Sequence, residues 1–104
     1  MPVPRRPLGR HPDMVSIIGV GGYHLGETKT AAEAVRIVQS AIDAGVNFLD
    51  NAWEYHDGES ERRMGRAIAG RRESVFLMTK ACTHGRDGCA AAQKDWRQID
   101  VIFP

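Results

Sequence analysis

An aspartate, a tyrosine and a lysine are spaced along this chain in a pattern that suits acid–base chemistry. Asp50 ends one short apolar segment, Tyr55 follows it, and Lys80 comes directly after a second apolar segment. In a parallel α/β fold the C-terminal ends of the strands face the same side, so the three side chains are expected to converge. A phenol beside an ammonium that a carboxylate holds in place is suited to donate a proton near neutral pH. Taken singly, each residue is an ordinary strand-end or surface residue; together they predict a proton-donor site.

The segments that would carry these residues alternate between strand and helix patterns. Short apolar runs predict strands at residues 14–20, 46–50, 75–79 and 99–103, and residues 89–98 are predicted as a short helix. The strands are apolar on both faces, as expected for buried parallel strands. The order β-α-β-α-β-α-β with short connections predicts a parallel α/β fold.

Helix signals lie in the intervals between the first three predicted strands. Thr30 followed by Glu33 is a capping-box pattern, and the helical spacing of apolar residues then continues to Gly45, which is suited to end the helix. Ser60 is predicted to cap a second helix, and Gly70 to close it.

The length of the chain, 104 residues, fits one domain. Residues 1–13 are predicted to form an arm or a small hairpin, and residues 14–104 a series of β/α units. A closed (β/α)8 barrel takes about 250 residues, so the expected architecture is part of such a TIM barrel, roughly its first three to four β/α units.

Charge and composition narrow the classes of partner. The chain carries 14 Lys and Arg against 13 Asp and Glu, a formal net charge of +1. Because this charge is nearly balanced, we expect neither nucleic acid nor an anionic membrane as a binding partner. No apolar run approaches the roughly 20 residues of a membrane-spanning helix, and the N-terminal segment lacks the apolar core of a secretory signal. The 2 cysteines are too sparse for a disulfide framework, so a cytoplasmic protein is expected.

Potential metal ligands lie in the polar loop after the third predicted strand. Cys82, His84 and Cys89, even with His56 added, match none of the paired ligand patterns of zinc sites. We therefore expect loop residues here and no metal.

Several short motifs, in a fixed order, resemble one protein family. The spacing of Asp50 and Tyr55, followed by a Gly-x-Ser-Glu motif and a strand-borne Lys80, is similar to the N-terminal third of an aldo-keto reductase. The resemblance covers about residues 5–88, and its matching segments are residues 8–10, 15–22, 45–52, 58–61, 64–67 and 79–80.

The resemblance implies a (β/α)8 barrel that transfers hydride between NAD(P)H and carbonyl compounds, generally with the phosphorylated cofactor. Asp50, Tyr55 and Lys80 match three of the family's four catalytic positions, with Tyr55 as the proton donor. The fourth is a His at the end of the fourth strand, where Pro104 ends this chain. The resemblance therefore implies a truncated domain.

Further site residues are expected near the ends of the first two strands. The resemblance places Gly22, Tyr23 and Asp50 against the NADP(H) cofactor, and a glycine there would permit close approach or a positive φ. The same segment is equally consistent with a plain βα turn. His24 and Trp53 would line the substrate pocket, although His24 also fits an ordinary loop position.

Two functions of different classes are consistent with these features. The first is an NAD(P)H-dependent oxidoreductase that reduces aldehydes or ketones, of which this chain is a part that lacks one catalytic residue and most of the cofactor site. The second is a non-catalytic half-barrel that completes its sheet by self-association through exposed edges. A third alternative is a decayed product that does not fold stably.

Overall fold

The computed structural model describes residues 2–81. Five strands and two α-helices follow one another in the order β1 (Arg5–Pro7), β2 (Met14–Ser16), β3 (Gly19–Gly21), α1 (Ala31–Asp43), β4 (Phe48–Asp50), α2 (Glu59–Ala67) and β5 (Phe76–Met78). The predicted helix at residues 89–98, the predicted strand at residues 99–103 and the Cys82, His84 and Cys89 loop lie outside the described residues.

A parallel sheet in the order β3-β4-β5 is the centre of the fold. Leu49 in β4 lies opposite Val20 on one side and Leu77 on the other, so the three strands are in register at the same level. The predicted parallel α/β arrangement is confirmed. Over residues 2–81 the strands form one part of a sheet and no closed barrel.

The N-terminal segment forms a hairpin in which β1 and β2 pair antiparallel. The prediction of one strand over residues 14–20 is wrong, because the chain bends between β2 and β3. The Ser16 hydroxyl donates to the Ile18 carbonyl at 2.6 Å, and the Ser16 amide donates to Asn47 Oδ1 at 2.6 Å. These local and long-range bonds replace the strand ladder that a continuous strand would need. The hairpin therefore extends past residue 13, where the arm was expected to end.

The helix α1 begins and ends as the sequence predicts. Thr30 Oγ1 accepts a hydrogen bond from the Glu33 amide at 3.1 Å, which satisfies one of the free donors of the first turn. Beyond the last helical residue the chain reaches Gly45 with φ at +106°, a conformation that favours glycine.

The start of α2 differs from the prediction. Its N-cap is Gly58 in the left-handed region, with φ at +88°, and Ser60 lies inside the first turn, where it is fully buried. The prediction of Ser60 as the cap is therefore wrong. After α2 the chain passes through Gly70 at φ +77°, as expected for a closing glycine.

The apolar core lies between the two helices and one face of the sheet. Leu49 and Leu77 point into it from the strands, and α1 and α2, which pack against each other, cover it. The buried members of this cluster are Leu25, Ala34, Val38, Leu49, Met64, Ala67, Ile68, Val75 and Leu77. The opposite face of the sheet carries Phe48 and Phe76, whose rings stack at 5.7 Å.

Substitution of Leu49 by Ala tests whether this core holds the strands in place. Leu49 has no exposed surface, so Leu49→Ala should lower the free energy of unfolding by about 2–5 kcal/mol through lost burial and a cavity. Ile37→Ala is the matched control, because that side chain is 45% exposed on α1 and should cost much less. Urea unfolding followed by circular dichroism measures both; similar losses in the two variants would contradict this core assignment.

Candidate active site

Asp50 and Lys80 meet at the C-terminal edge of the sheet. Asp50 is the last residue of β4 and pairs in register with Met78, so the chain delivers Lys80 two residues beyond the end of β5. The Lys80 ammonium donates a hydrogen bond to Asp50 Oδ1 at 2.6 Å. The convergence predicted from the strand order is thus present in the structure.

The electrostatics of the pair keep Lys80 charged. Burial by itself lowers the pKa of Lys80, but the hydrogen bond and the negative charge of Asp50, with a smaller contribution from Tyr55, outweigh it and raise the pKa above its ordinary value. The side chains of Lys80 and Asp50 remain 40% and 36% exposed, so a ligand can reach them. Such exposed pairs contribute little to stability, and their main effect here is to fix a positive charge.

Tyr55 lies beside this charge at the start of a strained turn. The Lys80 ammonium is 5.5 Å from the centre of the Tyr55 ring. His56 and Asp57, which follow, both adopt left-handed backbone angles, with φ at +51° and +53°. Non-glycine residues adopt this conformation at a cost of about 1–2 kcal/mol each, and such outliers concentrate at functional sites.

Tyr23 flanks Tyr55 from the end of β3. The two rings pack edge to face with their centres 5.2 Å apart, and the centre of the His56 ring lies 4.8 Å from that of Tyr23. Edge-to-face packing is favourable for aromatic rings and limits their rotation. Tyr23 is therefore placed to orient the Tyr55 ring, and it remains 46% exposed.

Gly22 packs against β4. Its amide donates to the Asp50 carbonyl at 2.7 Å, and a Cβ at this position would lie 2.3 Å from Asn51 Cγ. Its φ is −83°, so of the two alternatives expected for a glycine here, close approach or a positive φ, the structure has the close approach. The close approach that requires glycine here is to Asn51. Among residues 2–81, the neighbouring Gly21 has open space where a Cβ would be, with no atom within 4 Å other than those of its two chain neighbours.

The two residues expected to line a substrate pocket lie at different depths. The His24 side chain is 85% exposed, and its Nε2 lies 3.9 Å from Glu27 Oε2. Trp53 is half-buried, and its amide donates to the Lys80 carbonyl at 3.0 Å. The structure therefore joins Trp53 to the site through the backbone, whereas His24 points into solvent.

The first turn of α2 supports the site in a way that the sequence reasoning missed. Ser60 Oγ donates to the Tyr23 carbonyl at 3.3 Å, and Glu61, which has no exposed surface, accepts a hydrogen bond from the Thr79 hydroxyl. One turn later, Met64 Sδ accepts from Asn51 Nδ2 at 3.4 Å. The first two turns of α2 thereby contact the segments that follow all three parallel strands. The Gly-x-Ser-Glu motif was the available signal, although nothing in it indicated burial.

Residues 2–81 contain no group of three or more His, Cys, Asp or Glu side chains arranged to bind a metal ion. None of the helices described there is long and apolar enough to cross a bilayer.

Comparison with known proteins settles the family. The family model described as "Aldo/keto reductase family" matches residues 17–102. The chain belongs to the aldo/keto reductase family. This aldo/keto reductase chain is 38% identical to the uncharacterized oxidoreductase YqkF of Bacillus subtilis over 81% of its own length, but covers only 27% of that relative. It is 34% identical to methylglyoxal reductase YeaE of Escherichia coli, over 83% of this chain and 32% of the relative.

Solved structures give the same assignment for the fold. The aldo-keto reductase AKR11C1 from Bacillus halodurans, in its holo form, superimposes with a TM-score of 0.79 at 25% identity, over 96% of this chain and 36% of that one. An aldo-keto reductase from Klebsiella pneumoniae in complex with NADP and acetate gives a TM-score of 0.69 at 30% identity, over 84% and 32%. These neighbours imply the TIM-barrel fold. The chain thus spans 27% and 32% of these two relatives and 36% and 32% of these two structures.

The packing of Gly22 against Asn51 predicts a strong effect of a single methyl group. Gly22→Ala should lower the free energy of unfolding by about 1–3 kcal/mol, because Asn51 is fully buried and cannot move away. Gly21→Ala is the matched control and should change stability by less than about 0.5 kcal/mol, since its Cβ enters open space. Urea unfolding of the two variants checks this; equal effects would show that Asn51 does not restrict position 22.

The charge pair predicts a small stability term with a defined pH dependence. The pKa of Lys80 is higher in the folded chain than in the unfolded chain, where it is about 10.4. The stability that the ion pair contributes is therefore fully present below about pH 10.4, and it is lost as the pH rises through the folded-state pKa. Asp50→Asn should therefore cost less than about 1 kcal/mol at pH 7 to 9, and this cost should shrink above about pH 10.5. Urea unfolding at several pH values measures it. A cost that grows above that pH contradicts the pairing.

Proposed function

We propose that this chain carries the proton-donor side of an NADPH-dependent aldehyde or ketone reductase. The observation that supports this most directly is the meeting of Asp50, Lys80 and Tyr55 at one strand edge, with the 2.6 Å ion pair beside the tyrosine ring. A positive charge held next to a phenol is the arrangement that this reaction needs.

The proposed reaction adds a hydride and a proton to a carbonyl group. A bound reduced nicotinamide would supply the hydride to the carbonyl carbon. Tyr55 gives its hydroxyl proton to the carbonyl oxygen, which becomes the alcohol oxygen of the product. The Lys80 ammonium stabilises the phenolate that Tyr55 becomes, and Asp50 keeps the ammonium in place. Solvent returns a proton to Tyr55 at the end of the cycle.

The residues present fit the nicotinamide end of such a cofactor. Gly21 pairs in register with Asp50, and the space at its Cα is open, so a flat ring can approach the backbone there. Tyr23, half exposed beside Tyr55, would pack on the ring, and Gly22 and Asp50 would border it. The NADP bound by the Klebsiella pneumoniae neighbour supports the phosphorylated cofactor.

The proposed substrate is a small carbonyl compound. Relatives of this chain are described as a methylglyoxal reductase and a 6-dehydroglucose reductase, both of which act on such compounds. His24 and Trp53 would line the side of the pocket that this chain provides. The cytoplasmic location predicted from the sequence stays a prediction.

Under this proposal, catalytic turnover requires more β-strands around the site than residues 2–81 provide. The chain spans 27% of its relative YqkF, and the described sheet has three strands, so the remaining walls of the site must come from further strands. We propose that the 104 residues alone bind the cofactor weakly or not at all, and that assembly with further strands, or with other copies of the chain, completes the site.

A second candidate, a half-barrel that self-associates, is favoured by one observation. Ile17 and Ile18, at the entry to β3, are 54% and 60% exposed. No strand among residues 2–81 pairs with the outer edge of β3. An unpaired strand edge next to exposed apolar side chains favours pairing with another chain.

An NADPH fluorescence titration, with the mass of the assembled species measured in the same sample, separates the two candidates. The reductase proposal predicts that NADPH binds to an oligomer and that this species reduces an aldehyde. Tyr55→Phe should keep the binding and lower the reduction rate by about 100-fold or more, because the proton donor is lost. A defined oligomer that binds no NADPH would favour the interaction candidate, and full reduction by Tyr55→Phe would refute the assigned proton donor.

A further inference from the structure

A buried carboxyl group outside the charge pair lies close to the site. Glu61 has no exposed surface, although it lies in the first turn of α2. The N-terminus of a helix favours a negative charge, and the Thr79 hydroxyl donates a hydrogen bond to Glu61 Oε1. Burying a carboxyl group is costly unless it is bonded, so a fully buried glutamate at this place requires an explanation.

The partner of Glu61 is the residue directly before Lys80. Thr79 follows the last residue of β5, and it is held on one side by Glu61. On the other side the Lys80 carbonyl accepts the Trp53 amide at 3.0 Å. The backbone that delivers Lys80 is therefore fixed from α2 and from the segment after β4.

A fixed backbone is needed because the lysine side chain is long and half exposed. Holding its ammonium at 2.6 Å from Asp50 removes conformational freedom from a side chain that has several rotatable bonds. If the end of β5 shifted by only part of this 2.6 Å separation, the ammonium would lose its hydrogen bond to Asp50 and bind water in its place.

We propose that Glu61 is a positioning residue for Lys80: through the Thr79 hydroxyl it fixes the end of β5 and keeps the ammonium against Asp50. A catalytic role for the positioned Lys80 ammonium rests on the proposed function. The positioning itself is a property of the folded chain and can be measured without cofactor or turnover.

Competitive acylation of lysines in the full 104-residue chain tests the proposal. A limiting amount of acetic anhydride at pH 8 labels each amine in proportion to its free-base fraction and access, and mass spectrometry gives the ratio of Lys80 to Lys29. Lys29 is exposed and serves as the internal standard. Loss of the Asp50 pairing should raise the ratio severalfold, since the carboxylate raises the pKa of Lys80 and its loss leaves more of the amine in the free-base form.

Matched substitutions test whether a change in the labelling ratio comes from the hydrogen bond between Thr79 and Glu61. Thr79→Val removes the hydroxyl at nearly constant shape and should raise the ratio, whereas Thr79→Ser keeps the hydroxyl and should leave it unchanged. Glu61→Gln retains an acceptor for Thr79 and should also leave it unchanged. Ser60→Ala is the control for stability, because it removes the bond to Tyr23 from the same turn without touching Thr79.

The outcomes separate positioning from a merely structural role. If Thr79→Val lowers the unfolding free energy but leaves the labelling ratio at the wild-type value, Glu61 only stabilises the fold and the proposal is wrong. The proposal is also wrong if the labelling ratio rises in Glu61→Gln but not in Thr79→Val. In that case the charge of Glu61, and not its hydrogen bond with Thr79, would control the reactivity of Lys80. Should Thr79→Val fail to fold, Thr79→Ala removes the same hydroxyl and leaves more space. Failure of the assembled oligomer to bind NADPH would contradict the proposed function and leave this ratio unaffected.

Discussion

The parallel register of β3, β4 and β5 is the constraint on which the site depends. Parallel strands place their C-terminal ends at one edge, and here the register aligns Gly21, Asp50 and Met78. Lys80 then needs only to follow β5 by two residues to meet the carboxylate of Asp50 at 2.6 Å. The core between the sheet and the two helices maintains this register, because a slip would remove Leu49 and Leu77 from it.

Stability and chemistry are separated across the two faces of this sheet. The helix side buries apolar side chains and supplies most of the favourable free energy. The strand ends on the other side hold an ion pair that is more than a third exposed and contributes little to folding. Strain is concentrated in the left-handed residues His56 and Asp57, next to the tyrosine. The α2 turn connects the two regions, since it is part of the core and also reaches Tyr23 and Thr79.

The sequence predicts the features that depend on chain order and local pattern. Strand order and period were enough to place Asp50 and Lys80 together, and the Thr30 cap required only its own helix turn. The predictions from sequence were wrong or incomplete where the local structure depends on residues far away in the chain. The break between β2 and β3 depends on Asn47, which is 31 residues from Ser16, and the burial of Glu61 depends on Thr79, 18 residues away. Glutamate is ordinarily exposed, so no local pattern could have predicted its burial.

The central claim is that the described strands assemble the Asp50, Lys80 and Tyr55 group within this chain. Nuclear Overhauser spectroscopy of the folded 104-residue protein tests it most directly. With the ammonium 5.5 Å from the Tyr55 ring centre, cross-peaks should connect the Lys80 Cε protons with the Tyr55 ring protons. They should disappear in Asp50→Asn, which loses the carboxylate that holds Lys80. A chain whose core signals are native but whose Lys80 shows no contact with Tyr55 would contradict the account.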